Sequence, residues 1–248
     1  MIKIKNVSKI FGDKAALDNV SFDVKKGETL AVIGGSGSGK STLLRLMIGL
    51  IKPTSGEIYM DGEPLSDKTE AEWDKLRLKM GMVFQYSALF DSMTVGENVA
   101  FGLREHTDLP NEEIEKIVKE KLELVGLPNV ENLMPNELSG GMKKRVSLAR
   151  AIAINPSIIF YDEPSSGLDP ITTRKIDELI KDTQKALKVT SVVVTHDMLS
   201  ATRIADRIAM LSEGKLVAVA PTEEFKKIED ERIKAFFAAF SSSEGASL

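Results

Sequence analysis

The 248 residues contain no cysteine. Disulfides and thiolate metal sites are therefore excluded, and the chain suits a reducing compartment. A basic excess is absent as well: 33 Lys and Arg stand against 37 Asp and Glu, a formal charge of −4. A dedicated nucleic-acid binder would carry the opposite balance, so no nucleic-acid partner is expected. No apolar run follows the first lysines, which argues against a signal peptide. No apolar stretch reaches the roughly 18–20 residues that span a bilayer. Any membrane role is expected to run through a partner. What the chain does have is apolar content, 42% of residues. That is enough for one large domain, or for a core with an inserted subdomain.

Three short apolar runs stand out: TLAVIGG (29–35), SIIFYDEP (157–164) and TSVVVTHD (190–197). Short β-rich runs alternating with helical segments such as STLLRLMIGLI predict buried parallel strands in an α/β core. Residues 87 to about 150 lack such runs. There NEEIEKIVKEKLELVGL (111–127) carries apolar residues at Ile114, Ile117, Val118, Leu122 and Val125, a helical rhythm. That block reads as an α-helical insertion. The first segments, IKIKNVSKIF and LDNVSFDVKKGE, alternate as β-strands do, and RIAMLSEGKLVAVA reads as a hairpin turning at Glu213-Gly214. We assign residues 1–240 to one domain and expect 241–248 to be a disordered tail. Just before that tail, Ile233, Phe236, Phe237 and Phe240 share one helical face. Such a face either folds onto its own domain or reaches a second protein.

Residues 34–41, GGSGSGKS, fit G-x-x-x-x-G-K-[ST] between a strand and a helix. In this arrangement the backbone N–H groups of Gly34, Gly35, Ser36, Gly37, Ser38, Gly39, Lys40, Ser41 and Thr42 turn toward a phosphate. The helix N-terminus adds its positive end. Lys40 is expected to reach the β and γ phosphates and Ser41 to bind Mg²⁺. The run IIFYDE then delivers Asp162 to a strand end, where a carboxylate can hold hydrated Mg²⁺, and Glu163 next to it, placed to polarise a water. No Asn is followed by Lys anywhere, so the guanine-reading N-K-x-D is missing and the common GTPases are disfavoured.

A second glycine-rich helix start follows in LSGGMKKRVSLARA (138–151). Ser139 can cap a helix, while Gly140 and Gly141 leave backbone N–H groups uncovered. One nucleotide needs one cradle. A second is explained if it serves the nucleotide of another subunit. With LSGG and a basic helix placed before the Asp-Glu strand, the chain resembles the ATP-binding cassette family, the ABC transporter ATPases. The resemblance runs from about residue 2 to 225. It implies a P-loop NTPase core with an N-terminal antiparallel β-subdomain and an inserted α-helical subdomain. It also implies a head-to-tail homodimer in which each signature closes on ATP held by the other copy.

The same resemblance implies further roles. Phe11 stacks on adenine, where the alternative is a core Phe. Gln85 in VFQ touches Mg²⁺ and senses the membrane partner. Ser166 and Asp169 in SSGLD lie in the loop that crosses the dimer. His196 in VTHD contacts the γ phosphate, while His106 sits in a polar stretch and is expected merely to be solvated. The signature carries Met142 in place of the usual Gln. Together with SALFDSMTVGENVAFGLREHTDLP and GLDPITTRKID, it resembles the Mla-type cassettes of MCE-associated lipid transport. Gly102 departs from that subgroup's usual Pro. The expected partners are a polytopic permease, an MCE protein and a STAS-domain subunit, at the cytoplasmic side of the inner membrane. The alternatives are an amino-acid or small-molecule importer cassette and a non-transport ABC ATPase. Repair types carry long coiled-coil insertions and translation types usually join two cassettes, and neither feature is present.

Overall fold

The computed structural model describes residues 1–244, with side chains described up to residue 238. It divides into two compact units, Met1–Trp73 with the chain from Thr190 onward, and Asp74–Val189.

The first unit opens with β1 (Ile2–Phe11) and β2 (Lys14–Val24). After β3 (Thr29–Ile33) and α1 (Lys40–Met47) come β4 (Ser55–Met60) and β5 (Glu63–Pro64). An antiparallel sheet forms in the order β2-β1-β4-β5. Its alternation is visible in β1, where Ile2 and Ile4 are buried while Lys3 and Lys5 face out, the half-buried pattern of an open antiparallel sheet. Helix α2 (Glu70–Arg77) crosses the boundary between units.

The second unit holds β6 (Met80–Val83), α3 (Val95–His106), α4 (Asn111–Leu124), α5 (Gly140–Ile152), β7 (Ile158–Asp162) and α6 (Pro170–Leu187). Strands β6 and β7 pair in parallel. Helices α3, α4 and α5 pack on one another. Helix α4 buries Ile114, Val118 and Leu122, with Val125 just beyond it. The compact unit is therefore wider than the expected insertion at 87–150. It includes the strand pair that flanks the helices in sequence.

The chain then returns to the first unit as β8 (Thr190–Thr195), α7 (Met198–Ile204), β9 (Arg207–Ser212), β10 (Lys215–Pro221), α8 (Thr222–Phe225) and α9 (Glu231–Glu244). Strand β3 lies between β8 and β9, parallel to both, and β10 closes antiparallel on β9. All five residues of β3 and all six of β8 are buried, which is why each contains an unbroken apolar stretch, LAVI in β3 and VVV in β8. The β9–β10 turn has Glu213 at φ 49° and Gly214 at φ 77°, the two positive values a two-residue hairpin turn demands. The α/β class and the N-terminal antiparallel sheet are thus both present.

Helix α9 turns its apolar face inward. Ile233 is 1% exposed, and Phe236 and Phe237 pack beside it against Ile33, Met198, Ile208, Met210 and Phe225. Of the two expectations for this face, packing on its own domain is the one observed. The side chain of Phe240 lies outside the described residues. The helix extends to Glu244, four residues into the segment expected as a tail, and 245–248 lie outside the described residues. Emptying a core position of this kind costs about 2–5 kcal/mol. Ile233→Ala is accordingly expected to lower the urea midpoint with an unchanged slope. A wild-type midpoint would show that the helix contributes little to the core.

Candidate functional site

In the first unit, β3 ends at Ile33 and the glycine-rich loop begins at once. Gly34 adopts φ 153°, and a Cβ there would lie 2.2 Å from the Leu211 carbonyl oxygen. Gly39 is the N-cap of α1 at φ 104°. A Cβ at Gly39 would lie 2.5 Å from the Ala16 carbonyl oxygen. Both positions admit only glycine, for lack of space and for backbone conformation. Because Gly39 has no side chain, α1 starts without a side-chain cap, and its first amides keep the positive end of the helix available. Lys40 is only 8% exposed, and its Nζ donates to the Gly34 and Gly35 carbonyls at 2.7 and 3.0 Å. Around Gly35 and Gly37 there is open space. Ser38 is buried, and its hydroxyl has no hydrogen-bond partner. A buried hydroxyl without a partner is a group that a bound ligand can satisfy.

The parallel register sets Ile33 opposite Thr195. Gly34 and His196 are therefore the next residues of neighbouring strands, at the same sheet end. His196 is exposed. Asp197 accepts from the Leu199 and Ser200 amides at 2.8 and 3.0 Å and so caps α7, which fixes the backbone directly after the histidine. Phe11 is 50% exposed at the end of β1, with the Lys9 ammonium 5.1 Å from its ring centre. It is not a core residue.

The second unit repeats the strand-end logic. Val83 of β6 pairs with Tyr161 of β7, so Gln85 and Glu163 each follow two residues beyond that pair. Glu163 has φ 47°, a conformation that costs a non-glycine residue energy and that clusters at functional sites. The Gln85 Nε2 donates to the Ser166 hydroxyl at 3.4 Å, and the Ser166 amide donates to the Glu163 carbonyl at 3.1 Å. Asp169 is committed to capping α6, accepting from the Ile171 and Thr172 amides at 3.0 Å. Hydrogen bonds from Thr172 hold its carboxyl below the usual range.

Ser139 caps α5, its hydroxyl accepting from the Met142 amide at 3.3 Å. Ser139 and Gly140 are exposed. Gly141 is needed for closeness, since a Cβ there would lie 2.9 Å from the Thr172 methyl. The phosphate loop and His196 thus belong to one unit, while the signature, Gln85, Asp162 and Glu163 belong to the other.

Two cations on α5 escaped the reading of the sequence. Lys144 is buried, and its Nζ donates to the Gln85 carbonyl. Burial pushes its ammonium down, while the Glu163 and Asp162 charges push it back up. Arg150 donates to the Ala88 and Ser87 carbonyls at 2.7 and 2.9 Å and lies over the Phe90 ring. The signal was there. Lys144 falls on the stripe of Ser147, Leu148 and Ala151, which are buried on α5, at spacings of three, four and seven.

The family description "ABC transporter" matches residues 17–166, more than half of the chain. The chain belongs to the ABC transporter family. It is 44% identical to the intermembrane phospholipid transport system ATP-binding protein MlaF of Haemophilus influenzae, over 95% of this chain and 89% of that one. It is 48% identical to the methionine import ATP-binding protein MetN of Carboxydothermus hydrogenoformans, over 88% of this chain and 65% of the relative. Among solved structures, the cassette resembles the dimeric post-hydrolysis state of the ATP-binding cassette MJ0796 bound to ADP and Pi. That likeness has a TM-score of 0.81 and 39% identity, over 90% of this chain and 99% of the other. The cassette is an ATPase coupled to transport.

Proposed function

We propose that this cassette drives a membrane permease that moves phospholipid or a related hydrophobic molecule between envelope membranes. The observation that carries the reading is the nearly end-to-end match to the phospholipid-transport protein, 95% of this chain on 89% of that one. The importer alternative draws on a relative of which 65% is spanned.

Each candidate residue then has a role. The amides of 34–42 and the Lys40 ammonium hold the phosphates, and Phe11 stacks on the adenine. The loop fits a phosphate: it has open space at Gly35 and Gly37, a buried Ser38 hydroxyl without a partner, and a lysine held in place on two carbonyls. The Ser41 hydroxyl, the Asp162 carboxylate and the Gln85 amide oxygen are the proposed Mg²⁺ donors, a set of hard oxygens of the kind this cation takes. When bound, Mg²⁺ neutralises charge on the β and γ phosphate oxygens. Glu163 orients and polarises the attacking water, and His196 contacts the γ phosphate. Ser139, Gly140 and Gly141 of a second copy complete the site, so the working form is a homodimer. The dimeric state of the similar cassette supports this.

The permease, an MCE protein and a STAS-domain subunit are the proposed partners, with the cassette peripheral on the cytoplasmic side of the inner membrane. No helix among the described residues is long and apolar enough to cross a membrane, so attachment through a permease is consistent.

Docking is expected at the block from 86 to 105. Tyr86 is 86% exposed at its start. Asn98 is buried and pins the rest, bonding the Phe90 amide and the Phe90, Met93 and Thr94 carbonyls. The chain has no native cysteine, so an introduced one is the only thiol. Tyr86→Cys is expected to cross-link to the co-purified permease, and cross-links only at distant positions would refute this docking site. Cargo is tested in the reconstituted complex, where ATP should drive labelled phospholipid from one vesicle population to another. Methionine-stimulated hydrolysis without lipid transfer would favour the importer.

A further inference from the structure

Helix α5 does more than present the signature. Lys144 lies just beyond Ser139, Gly140 and Gly141. It is 6% exposed, and it lines one small cavity with Val83, Leu148, Tyr161, Pro164 and Ile176. A lysine is buried this deeply only where its charge is answered. Here the Gln85 carbonyl accepts from the ammonium, and the Glu163 and Asp162 carboxylates supply the opposing charge. One side chain from the signature helix therefore bonds the Gln85 carbonyl beyond β6 and feels the charges of Asp162 and Glu163 at the end of β7.

We propose that Lys144 is a positioning residue for ATP hydrolysis, fixing the backbone of Gln85 relative to Asp162 and Glu163. This rests on the roles proposed above for those three residues. The loop after Gln85 needs such support. Ser87 and Ala88 have φ 63° and 48°, conformations that persist only when the surroundings impose them. Arg150 grips the carbonyls of exactly that pair of residues, 87 and 88, and Lys144 grips the carbonyl at 85. Two cations of one helix thus hold three of four successive carbonyls. Without Lys144 the later part of the loop stays on Arg150, while Gln85 is released beside Glu163.

The Lys144 ammonium bonds the backbone carbonyl of Gln85 and lies outside the phosphate loop, so its loss is expected to fall mainly on the rate of the chemical step and much less on the affinity for ATP. An error of about 1 Å in placing a reacting group costs up to roughly 10²-fold in rate. The test compares wild type, Lys144→Met, Lys144→Arg and Glu163→Gln, each as full-length protein, by steady-state ATP hydrolysis and by equilibrium binding of a fluorescent ATP analogue.

Lys144→Met matches the stem without donor or charge. It is expected to lower kcat about 10-fold or more, with KM and analogue affinity within about 2-fold of wild type. Lys144→Arg restores a long cationic donor and is expected to recover most of the loss. A Met variant with wild-type kcat beside an inactive Glu163→Gln overturns the positioning role and leaves the site assignment standing. Equal losses in the Met and Arg variants overturn it as well, since any disturbance of the core would give them. A fully active Glu163→Gln brings down the site assignment and this proposal with it. If the Met chain does not fold, Lys144→Gln decides. It must show the same split of kcat against KM, about 3-fold in size, and a wild-type kcat there overturns the proposal.

Discussion

Glu163→Gln is expected to bind ATP as wild type does and to hydrolyse it at least about 10²-fold more slowly. The substitution keeps the size of the side chain and removes its ability to accept a proton from water. Backbone strain works in favour of a clean result. Glu163 already sits at φ 47°, held by its surroundings, and Gln at the same place has the same backbone preferences. Fold and nucleotide affinity should therefore survive while the chemical step fails. On the proposed shared site, two copies close on ATP and part after hydrolysis, so the variant should also accumulate as an ATP-dependent dimer. Phosphate release, analogue binding and size-exclusion with ATP check the three parts separately. A variant that stays monomeric with ATP at high concentration, with or without permease, would count against a shared site.

The parts of the fold that could be read from the sequence are those in which burial leaves a period or an unbroken run. Strands β3, β7 and β8 are covered on both faces, so each carries an unbroken apolar stretch, LAVI, IIF and VVV. Helix α4 shows its buried face at four-residue spacing through Ile114, Val118 and Leu122, with Val125 three residues on. The hairpin turn shows in Glu213-Gly214, because Gly214 takes a positive φ without strain. Strand β6 did not show. Its four residues, MGMV, are too few to reveal a period, and only pairing with β7 makes them a strand.

The candidate site was legible for a different reason. Phosphate cradles demand glycine where a Cβ has no room, as at Gly34 and Gly39, and such demands leave fixed spacings. Lys144 left a weaker mark: the triplet Lys143, Lys144, Arg145 reads as a solvated basic start to a helix, and only the spacing of Lys144 from Ser147, Leu148 and Ala151 sets its buried member apart. The face of α9 was legible as a face. What covers it was not, because Ile233, Phe236 and Phe237 suit any apolar surface. The strand ends and α7 supply that surface within the first unit.

Ser139→Arg is expected to abolish hydrolysis while sparing ATP binding by the isolated chain. Ser139 is exposed at the start of α5 and caps it through the Met142 amide. Losing that cap alone costs about 1 kcal/mol, too little to unfold a domain, and Ser139→Ala measures this part separately. Arginine adds bulk and puts a positive charge on the positive end of a helix, where the phosphate of a second copy is proposed to dock. The phosphate loop at 34–42 belongs to the other unit of the chain, so the first binding step should not feel the change. The decisive version mixes two inactive chains. Lys40→Ala spoils the phosphate loop and keeps the signature; Ser139→Arg does the reverse. A mixed dimer then contains one complete site, built from the loop of the Ser139→Arg chain and the signature of the Lys40→Ala chain. With equal mixing and independent sites, about a quarter of the wild-type rate should return. Two variants that stay inactive in every mixture while still forming mixed dimers would argue that each chain completes its own site.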